Sequence, residues 1–334
     1  MTAEQITMIV PVRNRALLIG ETLDMIVRQT VKPGHLVIVD NNSTDGTPEA
    51  VKEWIERNPQ GEMRVDLLTE PVKGASAARN RGLEVVDTKY VMCFDSDDIM
   101  HPTHISGIAR ELEARPDVEL LYFDRMIRDE EMWTQIKSVA DRDLLRAQIL
   151  HCILSTQSYI STAELMRRAG GWNESLPRWN DYELGLRLLI ENPVTLKLNT
   201  EPSVVIIHRE DSISAASLSS DSEVVSQALD AMSASLSRAA AECKDEKRAA
   251  QLRHALKYVN VRRVVLAALI AREGDESMGQ QMFDRFTQGL SSGEVSRLRL
   301  IYSVVKLLGR GGSTLGKLLF RQPVSKGSRR KSSV

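Results

Sequence analysis

The apolar positions of the first 125 residues change period again and again. "ITMIVPV" (6–12) is a nearly continuous apolar run, which predicts a strand buried on both faces. In "ALLIGETLDMIVRQT" (16–30), Leu17, Leu18, Leu23, Ile26 and Val27 recur at helical spacing. "HLVIVDN" (35–41) returns to a buried strand, and "TPEAVKEWIERN" (47–58) to a helix with Pro48 in its first turn. Strands at 63–69, 89–95 and 117–124, with a short helix at 75–86, continue the alternation. Continuous rather than alternating strands, interleaved with helices, predict an α/β fold with a mainly parallel sheet flanked by helices. Open sheets of this kind hold ligands outside the carboxyl ends of their strands.

Beyond residue 125 the pattern is mixed. It predicts a helix near 141–151, a polar strand near 156–161, a Gly-Gly-Trp turn at 170–172, a helix over 181–191 and a strand over 203–209. From about 221 the chain is Ala-rich and almost free of Gly and Pro until Gly274, which predicts two helices or more, then a further pair to about 310. The expected organisation is a core over 1–215, divisible near 125, a helical region over 216–310 and a basic flexible tail over 311–334. The Ser-rich stretch 212–222 is the expected junction.

Composition narrows this picture only slightly. Apolar residues at 42% and charged residues at 27% fit a soluble globular chain. A net charge of −1 excludes a polyelectrolyte binder, and no nucleic-acid partner is expected. Cys93, Cys152 and Cys243 are far apart and odd in number, with neither metal spacing nor a disulfide framework, which suits a reducing cytoplasm. "MTAEQITMIVPV" lacks the basic start of a secretory leader, and no apolar run reaches the roughly 18 residues of a membrane span. Charge is uneven, however: Val295 to Val334 carries ten Lys or Arg and no Asp or Glu, interleaved with apolar residues. That segment reads either as a terminal helix with a solvated tail or as a helix lying on an anionic membrane surface. The expected location is the cytoplasm, with the inner face of the plasma membrane as the second expectation.

Candidate chemistry sits at the strand ends. In "YVMCFDSDDIMHP" (90–102) an apolar run ends in Asp95, Asp97 and Asp98. Three such carboxylates repel unless they accept backbone N–H groups or bind a cation. A hard divalent ion, Mg2+ or Mn2+, suits a site that also takes phosphate oxygens. The plainer reading is an exposed turn, with Asp98 capping the next helix. Asp40 ends the second strand before the small polar turn that contains Asn42; it can accept from a nucleobase imide or a ribose hydroxyl, or serve as a cap. "VPVRN" (10–14) closes the first strand, with Pro11 and Asn14 shaping its loop. Lys73, Arg79 and Arg81 surround a Gly-Ala-Ser helix start, where an anion can be held. No G-x-G-x-x-G follows the first strand and no G-x-x-x-x-G-K-[ST] occurs, which argues against a dinucleotide fold and a P-loop.

These residues carry a resemblance. "IVPVRN…LVIVDNNSTDGT…KGASAARNRGLEVVDTKYVMCFDSDDIMHP" resembles the family 2 glycosyltransferases, inverting enzymes of the GT-A fold, over roughly residues 5 to 210. The resemblance implies that residues 1–125 bind a nucleotide sugar, a UDP-sugar first among donors, and that 126–215 serve the acceptor. It implies that Asp95-Ser96-Asp97 holds a divalent metal and the diphosphate, and that Asp40 contacts the base. Pro11, Val12, Arg13 and Asn14 then border the nucleotide with Asn42, and Lys73 and Arg79 contact diphosphate or sugar. Family members often carry an aromatic residue where Arg13 stands. "AGGWNESLPRWNDYELGLRLL" (169–189) resembles the family segment with a Gly-Gly turn and an acidic pair opening a helix; here the pair reads Asn180-Asp181. The resemblance makes Asp181 the general base, with Glu183 as substitute and with Trp172, Trp179 and Asn180 on the acceptor side. Packing tryptophans and a helix cap are the alternatives. His208, after the strand "SVVIIHR", is implied as a third metal ligand or a diphosphate contact; a lone histidine there also reads as structural. The implied acceptor is a glycan or lipid-linked glycan of the cell envelope, and a homo-oligomer is allowed without being required.

Two rivals remain at this point. A sugar nucleotidyltransferase would carry a Gly-rich basic loop after the first strand, which "VPVRNRALLIG" is not. A non-catalytic nucleotide- or glycan-binding module gains some support from Asn180.

Overall fold

A computed structural model of the chain describes residues 2–58, 61, 63–129, 132–136, 143–208 and 222–309. The chain divides into two compact units, Met1–Tyr258 and Val259–Val334.

In the first unit, β1 (Ile6–Val12), β2 (His35–Asp40), β3 (Arg64–Thr69) and β4 (Tyr90–Cys93) alternate with α1 (Ile19–Val27), α2 (Thr47–Arg57) and α3 (Ala75–Glu84). β5 (Ile99–Met100) is followed by α4 (His104–Ala114), β6 (Leu120–Phe123), β7 (Arg125–Asp129) and β8 (Met132–Ile136). α5 (Leu144–His151), β9 (Tyr159–Thr162), α6 (Ala163–Arg168), α7 (Asn180–Ile190), β10 (Thr195–Leu198) and β11 (Val204–His208) complete the mixed half. The main sheet has the order β10-β6-β9-β4-β1-β2-β3, and a second sheet runs β5-β11-β7-β8. In the main sheet every pairing is parallel except those of β9, which lies antiparallel between β4 and β6. The expected mainly parallel sheet is thus observed, with one inverted strand.

Alternate residues of β1 divide between two layers, as a pleated strand requires. Ile6, Met8, Val10 and Val12 join Ile19 and Leu23 of α1, Trp54 of α2 and Ile105 and Ile108 of α4 in one core, all nearly inaccessible. The opposite face is covered by α3, in which Ala75, Ser76, Ala77, Ala78 and Gly82 are small. A Cβ placed on Gly82 would lie 2.5 Å from Cγ2 of Ile9. That close approach seats α3 directly on the sheet.

β2 and β3 lie to one side of β1 and β4 to the other. The strand order therefore reverses between β1 and β4, which is where such folds open a crevice.

α8 (Ser222–Glu242) packs along α7, and α9 (Glu246–Arg272) follows. Arg248, near the start of α9, donates to the Leu189 carbonyl at the end of α7 at 2.7 Å. Both contacts draw α8 and the first turns of α9 into the first unit. The two units part at 258/259. The junction 212–222 lies outside the described residues except for Ser222, and the tail 311–334 lies outside them altogether.

The second unit contains the end of α9, α10 (Glu276–Thr287) and α11 (Ser292–Leu308). Phe283 and Tyr302 meet edge to face at 5.0 Å. Ser291 and Glu294 form a capping box at the start of α11, and Arg272 donates to the Leu307 carbonyl at its end, 2.6 Å away.

Candidate active site

The carboxyl ends of β1, β2 and β4 converge on one crevice. Val12 passes its carbonyl to the Asn41 N–H at 2.8 Å, so the loops after β1 and β2 leave the sheet together. They are then stapled: Asn14 N–H donates to Ser43 Oγ at 2.9 Å, and Thr44 N–H to Asn14 Oδ1 at 2.8 Å. Asn14 and Asn42 both take positive φ, 49° and 56°, which asparagine tolerates better than most residues. Arg13 donates to the Asn41 carbonyl at 2.8 Å. Pro11 and Val12 are buried inside β1 and present no side chain to the crevice.

Asp40 is 3% exposed. Its Oδ2 accepts from the Ser43 N–H at 3.2 Å, while Oδ1 has no partner among the described residues. An unpaired buried carboxylate oxygen is costly, on the order of 1–3 kcal/mol, unless something else fills it. Asn41 beside it donates to the Glu70 and Val72 carbonyls and accepts from Gly74 N–H at 2.8 Å. These bonds hold the β3–α3 loop, and with it exposed Lys73, next to the end of β2. At Gly74 φ is 148°, which frees the chain to turn sharply into α3.

The Asp95–Asp98 loop is held by more partners than its sequence suggests. Arg79 of α3, 6% exposed, donates to Asp95 Oδ1 at 2.7 Å. Burial opposes the Arg79 cation, but the Asp95 carboxylate outweighs it and drives the guanidinium pKa up. Arg79 is thus held against Asp95 through Nη2, while its buried Nε has no partner among the described residues. Its guanidinium lies 5.9 Å from the Trp172 ring centroid. Cys93 stands just before the loop, and burial pushes its thiol up to about 12, so it is inert.

Gln157 donates to Asp95 Oδ2, and the same nitrogen donates to Asp98 Oδ2 at 2.6 Å. Asp98 Oδ1 in turn accepts the Ile207 N–H at 2.9 Å. Asp98 thus ties β11 to the loop. It does not cap the next helix, since α4 begins only at His104 with Thr103 before it. Asp97 faces Arg15 at 3.3 Å, with about a fifth of its side chain exposed. The Ser96 carbonyl is fixed by Thr22 Oγ at 2.8 Å.

On the far side, Asp181 lies in the first turn of α7. Its Oδ1 accepts the Tyr182 N–H at 2.8 Å, and its Oδ2 faces the Thr156 N–H at 3.4 Å. Asp181 is close enough to Arg79 and Tyr159 to influence the protonation of both. Glu183 is 2% exposed and held by Arg187 through two bonds of 2.7 Å, which removes it as a substitute base. Trp172 is 3% exposed and packs beneath Arg79, so it offers no ring face to a sugar. Trp179, half-buried in the left-handed conformation, stands edge-on to Tyr182 just ahead of Asn180. His208 ends β11, and its side chain lies outside the described residues.

Among the described residues no three His, Cys, Asp or Glu side chains gather to hold a metal ion. The donor set still fits one. Asp97 offers a partly open carboxylate beside Asp95, and a small hard cation commonly takes one or two carboxylates and completes its shell with substrate phosphates and water.

Arg15, Thr22 and Gln157 had no mark in the sequence. The nearest signal was "LSTQSYIS", a Ser/Thr cluster before a short strand. Expected as a polar strand from 156, it forms a tight turn over Thr156–Ser158 and then β9.

Residues 7–169, just under half of the chain, match the family model described as glycosyl transferase family 2. It is 34% identical over 109 residues to the glycosyltransferase GlyA of Streptococcus pneumoniae, a stretch that covers 33% of this chain and only 15% of that relative. Among solved structures it is similar to S. aureus TarS 1–349 in complex with UDP-GlcNAc, with TM-score 0.66, 17% identity and coverage of 95% and 91% of the two chains. It is also similar to the mannosyltransferase PcManGT from Pyrobaculum calidifontis in complex with GDP-Man and Mn2+, with TM-score 0.55, 20% identity and coverage of 94% and 83%. At such identities these likenesses establish the fold, which is GT-A.

Proposed function

We propose that the protein is an inverting glycosyltransferase that moves a sugar from a nucleoside diphosphate, a UDP-sugar first among donors, to a hydroxyl of a glycan or lipid-linked glycan. The observation that carries the donor reading is Asp40 Oδ1, a buried acceptor at the carboxyl end of β2 with no donor among the described residues. A base that presents an imide N–H fills that need. Asp97 and Lys73 then line the path of the diphosphate, and Arg13, Asn14 and Asn42 border the nucleoside. When bound at Asp97, a divalent metal such as Mn2+ or Mg2+ neutralises charge that develops on the leaving diphosphate. Asp95 takes its place beside that position through Arg79 and Gln157. Asp181 accepts the proton of the acceptor hydroxyl as that oxygen attacks the anomeric carbon from the face opposite the diphosphate. Trp179 and Asn180, next to Asp181, border the acceptor. The reaction belongs in the cytoplasm, peripherally at a membrane face when the acceptor is lipid-linked.

Calorimetry with UDP, GDP and dTDP, each with and without Mn2+, tests the reading on the wild-type chain and on Asp95→Ala/Asp97→Ala. Manganese-dependent binding of one nucleotide, weakened at least tenfold in the double variant, is the expected result. A folded wild-type chain that binds none of the three overturns it.

A further inference from the structure

The turn between α5 and β9 reaches both sides of the candidate site. Ser155, Thr156, Gln157 and Ser158 are all less than a tenth exposed. Ser155 and Ser158 cap one another, and Ser158 Oγ also donates to the Ile153 carbonyl at 3.1 Å, so the turn has little freedom. From this turn, the Gln157 amide donates one N–H to Asp95 and the other to Asp98. Its neighbour Thr156 presents its backbone N–H to Asp181.

We propose that Gln157 is a positioning residue that presets the Asp95–Asp98 loop for a divalent cation and a nucleoside diphosphate. The inference rests on the nucleotide-sugar reading above and deepens it. Charge decides which side chain can hold this loop. Asp95, Asp97 and Asp98 bring three negative charges within four residues, and Arg79 and Arg15 return two positive ones. These five groups sum to −1. Two carboxylates side by side must be bridged by donors or they splay apart. A lysine or arginine at 157 would bridge them but bring the sum to zero and remove the attraction for a cation. A primary amide supplies two donors and no charge. It holds Asp95 and Asp98 together and leaves the field that draws in the metal. Gln157 acts through these carboxylates and touches neither metal nor substrate.

Two variants separate positioning from packing. Gln157→Met keeps the volume and removes both donors. Gln157→Lys keeps donors and adds the charge. Melting temperature reports on packing, and calorimetry with Mn2+ and the nucleotide selected above reports on positioning. The expected result is a fall of at least tenfold in metal-dependent nucleotide affinity in both variants. In Gln157→Lys, nucleotide affinity without metal stays level or rises. Variants that lose melting temperature but keep the wild-type response to Mn2+ show a packing role and overturn the inference alone. A wild-type chain that binds no nucleotide overturns the donor reading and this inference with it.

Discussion

Asp181 is the general base of the proposed reaction, and its surroundings make a clean test. Its two oxygens face backbone N–H groups of Tyr182 and Thr156, so the side chain is oriented with no cation bonded to it among the described residues. Asp181→Asn keeps the shape and one acceptor oxygen but cannot take a proton. Sugar transfer should fall about 10²–10⁴-fold, the usual share of a general base. Nucleotide affinity and melting temperature should stay at wild-type values; a wild-type transfer rate would exclude Asp181 as the base. His104 answers a different question, that of stability. It is 1% exposed, and its Nδ1 meets Ser203 Oγ at 2.7 Å. Burial, reinforced by nearby His101, holds its pKa down at about 3. The folded protein therefore refuses a proton that the unfolded chain accepts below its ordinary value near 6.5. Stability should be complete above pH 6.5 and decline towards pH 3, by up to about 1.4 kcal/mol per unit. His35, also depressed chiefly by burial, adds to the decline with the same sign. Urea unfolding at pH 7, 6 and 5 should show the slope, and His104→Leu should flatten it; an unchanged slope in the variant would rule out His104 as its source.

At the scale of elements, α3 carries the site. Ala75, Ser76, Ala77, Ala78 and Gly82 let it approach β1 closely enough for Arg79 to reach Asp95. Gly82→Ala sets two effects against each other. Helix propensity favours alanine by up to about 1 kcal/mol. The new Cβ would meet buried Ile9 at 2.5 Å, and overpacking of this kind costs about 1–3 kcal/mol. Overpacking should win, so the variant should melt lower and bind the Mn2+-nucleotide pair more weakly as Arg79 shifts off Asp95. Unchanged melting and binding would show that the helix has room to spare. The same elements show what a sequence can disclose. β1, β2 and β4 were legible because strands buried on both faces are written as unbroken apolar runs, and Asp40 and Asp95 stand visibly at their ends. β9 was legible only as a short polar strand near 156–161; its antiparallel place between β4 and β6 was not, because that comes from neighbours distant in the chain. Gln157 was hidden for the same reason, since its meaning depends on Asp95, 62 residues away. Asp98 was misjudged locally because its partner, Ile207, lies 109 residues further on.

At the scale of the whole molecule, the remaining question is where the acceptor is met. Among the described residues no helix is long and apolar enough to cross a membrane. α11 nevertheless shows two apolar stripes. Leu298, Ile301, Tyr302 and Val305 are buried, while Leu300, Leu307 and Leu308 are 56%, 76% and 50% exposed. The exposed leucines recur at helical spacing with half-buried Val304 between them. The stretch Val295–Val334 adds ten basic residues and no acidic ones. An apolar stripe with a basic surround is the combination that holds a protein on anionic lipid, each signal being weak alone. The full chain should therefore co-sediment with vesicles containing phosphatidylglycerol, and far less with pure phosphatidylcholine or at high salt. Leu300→Ser/Leu307→Ser should weaken that binding roughly tenfold or more, given the apolar area the two leucines would bury in lipid. Equal binding by the variant would assign any attachment to the basic tail alone. Equal binding to both kinds of vesicle would remove the electrostatic part. No binding at all would leave the acceptor to be met in solution, and a water-soluble glycan would then take the place of a lipid-linked one.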